Sequence, residues 1–181
     1  VVRLGMSGDY DLQAISLGLQ WLAQHAGQVL IVRVSVPSLE QDDFVPRMQA
    51  LLHSPQTQML GTAVQQLVLE LDAHALEVIP ARVAEFCAAT VQVHVGVGLR
   101  RLDQAPKALL QLPSLPLRYV KLGGFFAEQS LHNTGVRHLM EAMINTAQAQ
   151  AAQVYITDAV APEAASWLRI KGASLPAPSA V

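Results

Sequence analysis

The sequence predicts an α/β fold with about five predominantly parallel strands, arranged as an open sheet or as an incomplete, modified (β/α) barrel. Short β-branched runs recur between stretches with helical apolar spacing, as right-handed βαβ units require. The runs are nearly continuous in apolar residues, the pattern of strands covered on both faces. Their number stops at five, whereas a closed (β/α)8 barrel needs eight. The 181 residues fit one domain, expected over 1–173, with a flexible tail over 174–181.

Asp9 is placed to cap a first helix whose Leu12, Ile15, Leu19 and Leu22 follow helical spacing, and Gly27 stands where a helix C-terminus favours glycine. VLIVRVSV (Val29 to Val36) then reads as a buried parallel strand ended by Pro37. Asp43 and Pro46 open a second helix bearing Val45, Met48 and Leu52, and a polar loop follows at His53-Ser54-Pro55. LVLEL (Leu67 to Leu71) is the second strand, a helix interrupted at Pro80 covers Ala73 to Ala89, and VQVHVGVGL (Val91 to Leu99) is the third strand. Asp103 and Pro106 open another helix. LRYVKL (Leu117 to Leu122) is the fourth strand, and Thr134 caps a helix carrying Val136, Leu139, Met143, Ile144 and Ala147. VYIT (Val154 to Thr157) is the fifth strand, before a last helix from Pro162 to Gly172.

Composition narrows the function. With 51% hydrophobic and 14% charged residues the chain is not disordered, and part of so apolar a surface is expected to face a partner. A net charge of −2 without a basic run excludes binding to a nucleic acid polymer. The single cysteine, Cys87, excludes an internal disulfide and suits a reducing compartment. The expected location is the cytoplasm, including the cytoplasmic part of a larger or membrane-anchored protein. The longest apolar run, Val29 to Val36, contains Arg33 and falls short of the ~20 residues of a membrane helix. No leader pattern opens the chain, so any anchor is expected outside it.

In α/β folds ligands sit at the carboxyl ends of the strands, which directs attention to Ser35, Glu70, Asp72, Arg100, Arg101, Lys121, Gly123-Gly124 and Asp158. Glu70 and Asp72 point to one side of their strand, as a cation pair would require, although Asp72 also suits a helix cap. Lys121 suits a phosphate or a water nucleophile and needs a carboxylate neighbour, for which Asp158 is the candidate. Arg100 and Arg101 read either as a bidentate phosphate clamp or as a pair with one member in solvent. His94 reads as a hydrogen-bonded interior histidine, and His25, His53, His74, His132 and His138 lack metal-ligand spacing. Gly96-x-Gly98 has no following turn glycine and is no dinucleotide fingerprint. Ser7, Ser35, Ser130 and Cys87 lack the context of a hydrolase nucleophile.

The order VRVS (Val32 to Ser35), LVLELDA (Leu67 to Ala73), VGLRRLDQAPKAL (Val97 to Leu109), LPLRYVKLG (Leu115 to Gly123) and YITDAVA (Tyr155 to Ala161) resembles the EAL-type cyclic-di-GMP phosphodiesterase family in eroded form, lacking the N-terminal segment that carries the EAL signature. The family's counterparts are VNLS, LELEITE, LALDDFGTGYSSL, LPVDYLKID and VVAEGVE. The resemblance implies a TIM-like barrel and hydrolysis with Mg or Mn. On it, Glu70 matches a metal-binding Glu and Lys121 the active-site Lys, while Asp158 shortens the first Glu of AEGVE. Arg33 replaces the metal-binding Asn, Arg100 and Arg101 replace the metal-binding Asp pair, Gly123 replaces the Asp of KID, and Ala161 replaces the second Glu. Exchanging two carboxylates for two guanidiniums changes the local charge by about four units, and each like charge within ~4 Å costs several kcal/mol at an effective dielectric of 20.

The resulting expectation is a catalytically inactive domain without a metal cofactor. It would act as a signalling module toward a protein partner or another domain of its own polypeptide, with a homodimer as one way to cover an open sheet edge. The alternative is a non-hydrolysing receptor that grips cyclic-di-GMP with Arg33, Arg100, Arg101 and Lys121. An active phosphodiesterase is the third and least favoured reading.

Overall fold

Five strands, all parallel, form one sheet in the simple order β1-β2-β3-β4-β5: β1 (Leu30–Arg33), β2 (Leu67–Asp72), β3 (Gly96–Arg100), β4 (Leu117–Leu122) and β5 (Gln153–Ile156). The computed structural model describes residues 5–175. Sequential neighbours that are parallel demand a crossover on one face each time. Helix α1 (Ser7–Gln24) precedes β1, the crossovers contain α2 (Val36–Leu39), α3 (Phe44–Leu52), α4 (Pro55–Gln58), α5 (Ala75–Val78), α6 (Pro80–Val91), α7 (Gly124–Gln129) and α8 (Thr134–Ala149), and α9 (Pro162–Ile170) follows β5. Val32, Leu69, Leu71, Leu99, Val120, Leu122, Val154 and Ile156 meet Ile15, Leu22, Phe44, Met48, Phe86, Met143 and Ile144 in a continuous core.

The opposite face of the sheet is concave and partly open. A trough of about 690 Å³ runs over it, lined by Val29, Ile31, Val68, Tyr119 and Tyr155 among others. This overturns the reading of Val29 to Val36 as a strand covered on both sides. β1 is an edge strand, Ile31 and Arg33 are exposed, and the run ends because Ser35 becomes the N-cap of α2 with Pro37 in its first turn.

Other expectations shift for local reasons. The alternation over Val91 to Val95 is not strand: Val91 ends α6, and the chain turns through His94 at φ 58° before β3 starts at Gly96. His94 is therefore exposed, not interior. The segment opened by Asp103 and Pro106 forms three short 3-10 turns, Leu102–Gln104, Pro106–Leu110 and Leu112–Ser114, two of them with proline in the first turn. Asp9 lies inside the first turn of α1 instead of capping it, and the cap of α8 is Asn133, whose side chain accepts from the Val136 N–H at 3.1 Å. Ser174, expected in the tail, exchanges backbone bonds with β5 through Val154 and Ile156. The rest of the expected tail beyond Leu175 lies outside the described residues.

Candidate functional site

The strand register aligns one row of residues across the concave face: Arg33 opposite Glu70, Glu70 opposite Gly98, Gly98 opposite Tyr119. Gly98 is the open position in that row. A Cβ there would stand 2.3 Å from Cζ and 2.7 Å from Oη of Tyr119, so only glycine lets the phenol ring lie across β3. Through that gap the Tyr119 hydroxyl donates to Glu70 Oε1 at 2.7 Å. Gly98, one of the two glycines that fail as a nucleotide motif, thus has a packing role, which sequence alone did not reveal.

Glu70 is 1% exposed and accepts three donors. Lys121 Nζ and the Tyr119 hydroxyl bind Oε1, and Arg33 Nε binds Oε2 at 3.2 Å. Burial works to raise the Glu70 pKa, and the bonds from Lys121, Tyr119 and Arg33 outweigh it, holding the carboxyl below its ordinary range. Burial and the adjacent carboxylate push the Tyr119 hydroxyl up, so it is the proton donor in this pair. The partner of Lys121 is therefore Glu70, not the expected Asp158. Lys121 lies two residues beyond Tyr119, the register partner of Gly98, and its side chain reaches back across β3 to Glu70, whereas Asp158 is bonded to the Gly124 N–H and the Thr157 hydroxyl.

A second knot lies one residue pair further along. Asp72 and Arg100 are register partners on β2 and β3, with Arg100 Nη2 3.3 Å from Asp72 Oδ2. Arg101, in the left-handed region at φ 57°, turns back so that its Nε donates to the same oxygen at 2.7 Å and its Nη2 also binds it. Asp72 Oδ1 accepts the His74 N–H at 3.1 Å, so the turn-capping reading and the ion-pair reading of this residue both hold. Burial tends to raise the Asp72 pKa, and the bonds from Arg101 and the His74 N–H leave it lowered. Arg101 lies beyond β3 in a left-handed backbone conformation, so both arginines reach Asp72, and Arg101 is also the member of the pair that is exposed to solvent.

The remaining acids of the mouth are engaged by backbone. Asp103 Oδ1 accepts the Gly123 N–H at 2.9 Å, and Asp158 Oδ2 accepts the Gly124 N–H at 3.1 Å and the Thr157 hydroxyl at 2.9 Å. The Gly124 N–H bond, joined by Thr157, keeps Asp158 below the ordinary carboxylate range. The second approach needs glycine, since a Cβ at 124 would come within 2.8 Å of the Asp158 Cβ, while one at 123 would stand 3.0 Å from the movable Asp103 Oδ2. On the other flank Asp11 Oδ2 accepts Ser35 N–H at 2.8 Å, Ser35 Oγ at 2.9 Å and Ser38 Oγ at 2.5 Å, tying α1 to the end of β1.

These groups surround two connected clefts of about 580 and 300 Å³, the first lined from Asp11 and Ser35 to Arg101, the second from Arg33 to Asp158. All six candidate residues, Arg33, Glu70, Arg100, Arg101, Lys121 and Asp158, line the smaller one. Its bases pair with Glu70 and Asp72 while Asp103 and Asp158 are held by backbone N–H groups, and of the four bases Arg33 and Arg101 have the most exposed side chains. Among the described residues no three His, Cys, Asp or Glu side chains converge as a metal-holding group. None of the described helices is long and apolar enough to cross a membrane.

The family model of the EAL domain matches residues 2–175. Among solved structures, the Vibrio cholerae LapD S helix-GGDEF-EAL protein bound to c-di-GMP superposes with a TM-score of 0.80 at 17% identity, over 95% of this chain and 41% of that one. The FimX EAL domain from Pseudomonas aeruginosa bound to c-di-GMP gives 0.75 at 16% identity, over 94% and 68% of the two chains. The EAL domain of Mycobacterium smegmatis DcpA gives 0.70 at 22% identity, over 94% and 75%. No curated protein matches by sequence. The chain spans about two fifths of the LapD protein it resembles.

Proposed function

The chain belongs to the EAL domain family, and from that premise we propose that it does not hydrolyse cyclic-di-GMP and serves as a signalling module through contacts with a protein partner or another domain of its polypeptide. The observation that carries this reading is the state of the acids at the strand ends. Glu70, Asp72, Asp103 and Asp158 each accept from a donor inside the chain. Metal-assisted displacement at a phosphodiester needs carboxylates free to hold and neutralise the ions. Here a cation taking Glu70 would strand Lys121 and the buried Tyr119 hydroxyl. Arg100 and Arg101 oppose it further, since the two guanidiniums share the single Asp72 carboxylate and leave that end of the cleft net positive. The residues present do not fit the family's Mg or Mn chemistry, and no hydrolytic step follows from them.

One observation favours a second reading, a receptor that binds the dinucleotide without cleaving it. The Arg33 side chain is 72% exposed beside the cleft, and a guanidinium edge in that position suits phosphate oxygens. Calorimetry at physiological salt with cyclic-di-GMP separates the two. The interaction module gives no heat and no thermal shift, whereas saturable heat lost in Arg33→Ala moves the assignment to a receptor. Hydrolysis in Mn²⁺ that disappears in Lys121→Ala overturns both.

A further inference from the structure

The trough on the concave face of the sheet differs from the mouth in its charges. Its apolar and aromatic lining runs from Val29 and Ile31 on β1, through Val68 and Tyr119, to Tyr155 and Leu175. Three cations, Arg33, Lys121 and Arg118, line it as well, and no aspartate or glutamate does. Arg33 and Lys121 stand at the mouth end, where both bond Glu70. Arg118 stands near the start of β4, at the far end, and makes no ion pair among the described residues. It is also held in place. Val97 pairs with Leu117 and Gly98 with Tyr119, so Arg118 is the extra residue of a bulge, and two consecutive β4 side chains cross β3. Tyr119 crosses at Gly98 and the Arg118 stem at Gly96, where a Cβ would meet Arg118 Cδ at 2.9 Å. The Arg118 Nη1 then donates to the Gln65 carbonyl at 3.0 Å, which leaves its other N–H groups for an anion.

We infer that this trough binds a free long-chain carboxylate, with its head on Arg118 and its apolar chain laid along β1 toward the mouth. Charge selects the head. A monoanion matches the one lining cation that has no acidic partner, and the planar carboxylate suits the free edge of a guanidinium. A cation or metal ion meets three positive groups and no acid there. Shape selects the chain. Val29 and Ile31, 50% and 43% exposed, form an apolar wall with the Tyr119 and Tyr155 rings, which a hydrocarbon covers without needing polar partners. From Val29 to Arg33 the trough follows the strand for about 13 Å, at ~3.3 Å per residue. Its volume of about 690 Å³ lies within the range of small-molecule pockets. The site lies below the Glu70 cluster and does not depend on what the mouth binds.

Calorimetric titration of the full chain with dodecanoate, kept below its micelle concentration, tests this. One site per chain is expected, with a Kd of about 10 to 100 μM. Hexanoate, six methylenes shorter, should bind at least ~100-fold more weakly. Raising the salt from about 0.05 to 0.5 M should weaken dodecanoate several-fold by screening Arg118. Arg118→Gln should weaken it at least ~10-fold, and Ile31→Asp, a change on the half-exposed wall, should do the same, both with the melting curve of the unliganded chain unchanged. The ligand series stands without the variants, so a misfolded variant does not shelter the proposal. Uptake of several dodecanoates per chain, hexanoate binding as tightly as dodecanoate, or equal binding by Arg118→Gln and wild type marks adventitious surfactant uptake and overturns it. A chain that takes up no dodecanoate at about 1 mM leaves the trough to a polypeptide segment and overturns it as well.

Discussion

Gly98→Ala is the substitution that most sharply probes how the mouth is built. The added methyl would lie 2.3 Å from Tyr119 Cζ and 2.5 Å from Cε2, distances that Cβ atoms do not tolerate, and the contact is with a ring packed at 5% exposure. The ring must swing off β3. That breaks the 2.7 Å bond to Glu70, a hydrogen bond to a charged acceptor contributing about 1.5 to 3 kcal/mol. It also returns much of an aromatic face to water, for about 1.5 to 3 kcal/mol. Alanine recovers about 0.5 to 1 kcal/mol over glycine in a strand. The net loss is about 2 to 5.5 kcal/mol, a large share of a typical domain's stability. Urea unfolding followed by circular dichroism measures it. Tyr119→Phe, which loses only the hydroxyl, should cost about 1.5 kcal/mol, and in a Tyr119→Ala background Gly98→Ala should become neutral or stabilising. A loss below about 1 kcal/mol in the wild-type background, or an equal loss in the Tyr119→Ala background, would refute the idea that the glycine exists to admit the ring.

Three other outcomes follow from the same network. Glu70, Asp72 and Asp158 have folded pKa values below their unfolded ones, so their contribution is complete above the ordinary carboxylate range and is lost as pH falls through the folded values. Stability should decline below about pH 5, and Glu70→Gln should flatten that decline without abolishing it, because Asp72 and Asp158 still titrate; an acid limb that is unchanged in this variant contradicts the assignment. Asp72→Ala should cost about 1 kcal/mol, since the Arg101 side chain it holds is half exposed and solvent screens the pair, and the loss should shrink in 1 M salt. Burial pushes the Cys87 thiol up to about 12, so an aromatic disulfide reagent at pH 8 should leave the folded protein untouched and react with one thiol after denaturation.

The sheet was legible because runs such as LVLEL and LRYVKL are too short for buried helices and alternate with stretches of helical spacing. What periodicity cannot tell is which strand lies at an edge. Val29 to Val36 is as apolar as β2, but its second face looks into an open trough, a property of strand order. VQVHV mimicked strand alternation because a helix end and a left-handed turn happened to place valines at every second position. The six candidate residues do converge, since the strand-end rule fixes height in the sheet. Their pairing was not legible. Lys121 meets Glu70 across 51 residues and one intervening strand, and only the register together with a glycine at the crossing reveals it. A signal was present: a tyrosine in a strand two residues before a lysine needs a buried acceptor, and Glu70 was the acid at the matching height.

The carboxylates of the mouth are committed to internal donors, and manganese binding tests that most directly. In a titration followed by the electron paramagnetic resonance of free Mn²⁺, the protein should leave the free-ion signal unchanged up to millimolar metal, with or without cyclic-di-GMP. Two ions taken up per chain at micromolar concentration, and lost in Glu70→Gln, would contradict it.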